Sequence, residues 1–167
     1  MTLFSKDQKH KITFTLNGES SSAHAEPRML LSDFLRQEIG LRGVHVGCEH
    51  GVCGCCTVRV DGKLARSCLM YAPSIDGSTV ETVEGLADDN GELNDLQESF
   101  KRHHGLQCGQ CTPGILMSAT AFLEVNPDPS EDEVRDMLSG HLCRCTGYTG
   151  MIKAIIDVAQ IRKTGSP

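Results

Sequence analysis

The stretch GCEHGVCGCC, residues 47–56, holds four of the chain's nine cysteines within ten residues. No ordinary hydrophobic core needs thiols at that density. The opening MTLFSKDQKHKITF has neither an apolar signal core nor a twin arginine. The chain is therefore expected in the cytoplasm, where thiols stay reduced. Clustered cysteines there indicate metal or redox chemistry rather than disulfides.

The spacing narrows this further. Cys48-x4-Cys53-x2-Cys56, followed by Cys68, is the spacing of plant-type ferredoxins that bind a [2Fe–2S] cluster. Three thiolates on one tight loop can surround two irons only if the backbone turns freely, and Gly47, Gly51 and Gly54 supply that freedom. Loop amides can then point at the cluster's negative charge. Cys55 is the odd thiol. Cys56 leads into an alternating strand, so Cys55 and Cys56 point to opposite faces, and the x2 spacing selects Cys56. Cys55 reads as a small buried hydrophobe.

A second group lies downstream. Cys108-x2-Cys111 in GLQCGQCTPG and Cys143-x-Cys145 in HLCRCTGY each precede a helix, whose N-terminal dipole favours thiolates. Four such thiols suit a second compact cluster. Zinc is the alternative, because C-x2-C pairs also build tetrahedral structural sites. A redox disulfide at Cys108–Cys111 lacks the βαβ context of such motifs.

The intervening segments place these loops. Residues 11–26 predict a hairpin turning at Asn17-Gly18, and residues 29–40 an amphipathic helix stopped by Gly40. CTVRVDGKLARSC predicts a second hairpin turning at Asp61-Gly62, and STVETVEG a further strand. Beyond about residue 84 the pattern is helical, over 93–104, 113–125, 130–140 and 150–162. Ser130-x-x-Glu133 is a capping box, and Thr112 stands as N-cap before Pro113. The expected fold is α+β: a sheet domain over residues 1–84 and a helical domain over 85–167. Aromatics are 4% with no Trp, which suits two small aliphatic cores.

A net charge of −6 and no basic stripe argue against nucleic acid as a partner. No apolar run reaches the length of a membrane span. There is no P-loop, GxGxxG or nucleophile elbow, so no substrate or flavin site is evident. His45, His50, His103, His104 and His141 read as structural or solvated, with His103-His104 at a helix end expected to meet its last carbonyls.

Together, GCEHGVCGCCTV…SC, GLQCGQCTPG and HLCRCTGY resemble the iron–sulfur subunit of the xanthine oxidase family of molybdenum hydroxylases, from about residue 10 to 162. It is similar to the small subunits of carbon monoxide dehydrogenase and of bacterial enzymes that hydroxylate N-heteroaromatic rings. The resemblance implies a β-grasp ferredoxin domain holding one [2Fe–2S] cluster through Cys48, Cys53, Cys56 and Cys68. It implies a four-helix bundle holding a second through Cys108, Cys111, Cys143 and Cys145. It further implies a molybdopterin-binding large subunit beside Gln107 and Cys145, an FAD-binding medium subunit nearer the first cluster, and a dimer of heterotrimers. Electrons would pass from molybdenum through both clusters to FAD, with an N-heteroaromatic ring as the holoenzyme's expected substrate. Aldehydes, purines and carbon monoxide stay open as substrates, as do a free-standing carrier and a zinc-stabilised interaction module. One departure is visible: the family usually has Ala or Ser where this chain has Cys55.

Overall fold

Two Asx-Gly pairs shape the sheet. Asn17 and Gly18 have φ of 48° and 89°, and Asp61 and Gly62 have 47° and 76°. Positive φ at both central residues is the type I′ turn, whose twist matches that of paired strands. The first turn joins β1 (His10–Leu16) to β2 (Glu19–Ala25), and the second joins β3 (Thr57–Val60) to β4 (Lys63–Arg66). A short β5 (Thr79–Glu81) inserts between the hairpins, parallel to β1 and antiparallel to β3. The strand order is β2-β1-β5-β3-β4. The computed structural model describes Ser5, residues 8–88 and residues 90–165.

Helix α1 crosses this sheet but is shorter than the expected 29–40. It is a single α turn, Leu31–Asp33, widening into a π turn, Phe34–Glu38. Met29 and Leu30 stay extended because their backbone pairs with the segment around Tyr71: Leu31 N–H donates to the Met70 carbonyl and Ala72 N–H to that of Met29. Ile12, Phe14, Phe34, Leu35, Val58 and Val80 form the core beneath, with the Phe14 and Phe34 rings tilted at 5.7 Å between centroids. The strand expected over 78–85 stops at Glu81. The Asn17 side chain takes the next strand position, accepting the Thr82 N–H at 2.8 Å. The chain then turns through a 3₁₀ segment, Val83–Leu86.

Among the described residues four helices follow: α2 (Asp95–Arg102), α3 (Thr112–Val125), α4 (Glu131–Ser139) and α5 (Tyr148–Thr164). The Ser130–Glu133 capping box is present at α4. A second one, Asn94 with Gln97, starts α2. Thr112 is not the cap of α3. Cys111 already has helical φ/ψ of −86° and −17° and is itself the N-cap, its carbonyl accepting from Ile115 N–H. Thr112 and Pro113 thus stand inside the first turn. His103 does not meet the helix-end carbonyls but lies 3.2 Å from the Asp157 carboxylate of α5.

Leu96, Phe100, Ile115, Leu123, Val134 and Ile155 share one core between these helices. Cys48, Cys53 and Cys55, which precede β3, pack into that same helical core. The cysteine loop of the sheet half is therefore built into the helical half. Among the described residues no helix is long and apolar enough to cross a membrane.

Candidate metal centres

The first cysteine set is assembled by the loop before β3 and the 3₁₀ segment Ser67–Leu69 that follows β4. Gly51 and Gly54 have φ of 82° and 78°, so the loop can reverse twice within a few residues. Gly47 serves a different need from the one its neighbours suggest. A Cβ there would meet Cys53 Sγ at 3.2 Å and Cys55 Sγ at 3.5 Å. The folded loop sets the Cys48 thiol beside that of Cys53 and the Cys68 thiol beside that of Cys56. Cys48 is half-buried, and the other three are buried.

Backbone amides face these sulfurs. Cys53 N–H donates to Cys48 Sγ at 3.4 Å. That amide, with those of His50 and Val52, draws the Cys48 thiol down to about 6. Burial acts the other way on Cys68, raising it to about 11, assisted by the Cys56 thiol beside it. Cys55 is pushed to about 12, first by burial and then by the Cys53 thiol.

The second set is built where the loops before α3 and α5 meet. Here too the thiols are paired: Cys111 with Cys143, and Cys108 with Cys145. Cys111 and Cys143 are the inner pair, each 6% exposed, whereas Cys108 is exposed and Cys145 half-buried. Burial raises Cys111 to about 12. The Gln110 backbone amide lowers Cys108. Gly147 N–H donates to Cys143 Sγ at 3.4 Å. Exposed Gln107 lies on the outer side, its Nε2 3.7 Å from the position of a Cβ on Gly147.

The two loops are fastened together. Leu142 N–H donates to the Cys53 carbonyl at 3.0 Å. His45 Nδ1 contacts the Gln110 carbonyl at 3.0 Å, and Gln110 Nε2 donates to the Val46 carbonyl at 3.1 Å. Arg66 of β4 donates to the Gly140 carbonyl at 2.8 Å and also to Thr57 Oγ1. The first turn of α3 rests on the Gly54 peptide so closely that a Cβ on Gly114 would sit 2.1 Å from the Gly54 oxygen.

This donor chemistry fits [2Fe–2S] groups. Each set is four neighbouring thiols with amide N–H groups aimed at sulfur, a donor set of the kind that holds such a group.

Three residues carry more of the site than their sequence positions suggest. His141 is 4% exposed, hydrogen-bonds Ser118 Oγ at 2.8 Å, and is lowered to about 4 by burial and the nearby Arg66. The Tyr148 hydroxyl accepts from Cys143 N–H at 2.7 Å and donates to the His141 carbonyl at 3.1 Å, closing the Cys143–Cys145 turn. Gly114 permits the close approach of α3. The available signals were the neighbouring motifs, HLCRCTGY and CTPG.

Residues 14–87 match the family model of the 2Fe-2S iron-sulfur cluster binding domain, and residues 82–156 match that of the [2Fe-2S] binding domain. The chain is 50% identical over 157 residues to the nicotine 6-hydroxylase small subunit of Paenarthrobacter nicotinovorans, covering 94% of each. It is 51% identical over 154 residues to caffeine dehydrogenase subunit gamma of Pseudomonas sp. strain CBB1, covering 90% of this chain and 91% of that one. A chain of quinoline 2-oxidoreductase from Pseudomonas putida 86 superposes with a TM-score of 0.89 at 51% identity, covering 96% of this chain and 99% of that one.

Proposed function

We propose that this chain, which belongs to the iron–sulfur small subunits of the xanthine oxidase family of molybdenum hydroxylases, carries electrons between two partner subunits through the two cysteine sets. When bound, each [2Fe–2S] group supplies reversible one-electron chemistry; the protein contributes position and tuning. Cys48, Cys53, Cys56 and Cys68 would hold the first group, and Cys108, Cys111, Cys143 and Cys145 the second. The sheet half is a β-grasp domain and the helical half a four-helix bundle, with the boundary near residue 84.

The observation that carries this reading is the graded exposure of the thiols. The Cys108–Cys145 pair opens to solvent beside Gln107, and the Cys111–Cys143 pair is buried in the core that also holds Cys53 and Cys55. Electrons enter at the open end and leave from the loop holding Cys48. A molybdopterin-binding large subunit covers Gln107 and Cys145, and an FAD-binding medium subunit docks nearer the first set. The assembly is a cytoplasmic dimer of heterotrimers. Its substrate is an N-heteroaromatic ring, in keeping with the nicotine, caffeine and quinoline named for the similar proteins.

The test is Cys111→Ser in the assembled holoenzyme. Turnover is expected to be lost while the EPR signal of the first centre persists. Turnover at the wild-type rate would contradict the route.

A further inference from the structure

Cys55 is the one cysteine outside both sets of four. It is 4% exposed and lies in the helical core with Cys53, Cys111 and Cys143. Its Sγ and that of Cys53 crowd the same face of Gly47. Burial raises its thiol, and the neighbouring thiols of Cys53 and Cys111 raise it further. The first turn of α3, which Cys111 caps, presses on the Cys55 backbone, with the Cys55 carbonyl carbon 3.1 Å from a Cβ on Gly114. Cys55 therefore stands between an inner ligand of one centre and an inner ligand of the other.

A thiolate bound to iron has no proton to give. In the Cys53–Cys55 pair only Cys55 can then donate. Hydrogen bonds to cluster sulfur raise the reduction potential, because they stabilise the more negative reduced state. Alanine would remove the donor, whereas serine would keep one in nearly the same volume.

We infer that Cys55 is a positioning residue that tunes the first centre, donating an S–H hydrogen bond to the Cys53 sulfur on the side that faces the second centre. The inference rests on the ligand assignment above. It sets the first centre's potential above that of a chain with alanine at this position and so favours electron flow out of the helical centre. Cys55 itself is neither oxidised nor reduced.

The experiment is an EPR-monitored redox titration of the assembled wild-type, Cys55→Ala and Cys55→Ser proteins. In Cys55→Ala the reduced-to-oxidised ratio of the first centre at fixed potential should fall about tenfold, about 59 mV for one electron. The second centre should move less, and Cys55→Ser should stay near wild type. A first-centre change under about twofold in Cys55→Ala overturns the inference, and so does an equal drop in both variants. If the alanine variant does not fold, an alanine-sized drop in Cys55→Ser alone overturns it. A wild-type protein lacking two [2Fe–2S] signals overturns the ligand assignment itself, a separate outcome.

Discussion

The Leu142 amide donates to the Cys53 carbonyl at 3.0 Å. Each residue belongs to a cysteine loop of a different half, and Leu142 directly precedes Cys143. One hydrogen bond thus joins the backbones that carry inner cysteines of the two sets. Neither set's geometry is independent of the other, because the cysteine loops share in the contact between the halves.

Gly114→Ala tests that contact. The added methyl would meet the Gly54 carbonyl oxygen at 2.1 Å. Backbone on both sides cannot yield cheaply, and overpacking of this kind costs about 1–3 kcal/mol. The thermal unfolding midpoint should fall, and iron per chain should fall with it. Wild-type values for both would mean that the loops do not depend on this packing.

Tyr148→Phe removes the hydroxyl between the Cys143 amide and the His141 carbonyl. Leaving a buried amide unpaired costs about 1–3 kcal/mol. Stability should drop, and the EPR signal of the helical centre should change shape while the first signal holds. Changes confined to the first signal would refute this role.

The pH dependence has a surface component. Arg162 donates twice to the Asp95 carboxylate, at 2.7 and 2.8 Å, and holds that carboxyl below its ordinary range. A depressed carboxyl pKa stabilises the fold above the unfolded value and loses that contribution as pH falls through the folded one. The side chains are 40% and 41% exposed, so the pair is worth no more than about 1 kcal/mol. Asp95→Asn should lower stability slightly at pH 7, and the gap from wild type should close below the folded pKa. A gap that persists in acid, measured by denaturant unfolding, would contradict this.

The sequence made the hairpins legible because Asn17-Gly18 and Asp61-Gly62 state their turn type locally. The α4 start was equally legible in Ser130 and Glu133. The length of α1 was not, because the pairing of Met29 and Leu30 with the Tyr71 segment is a long-range event that helical periodicity does not register. Thr112 failed as a cap for a similar reason. The cysteine turn brings Cys111 into helical geometry one residue early, which residue preference alone does not reveal. The spacing singled out Cys48, Cys53, Cys56 and Cys68 as one set, and it separated Cys55 from Cys56. It left the position of Cys55 against the helical half invisible, since that depends on how α3 meets Gly54.

The most direct measurement is EPR of the dithionite-reduced chain together with iron and zinc analysis. Two distinct [2Fe–2S] signals with about four irons per chain are the predicted result. One signal accompanied by zinc would contradict the account, because Cys108, Cys111, Cys143 and Cys145 would then form a structural site that passes no electrons.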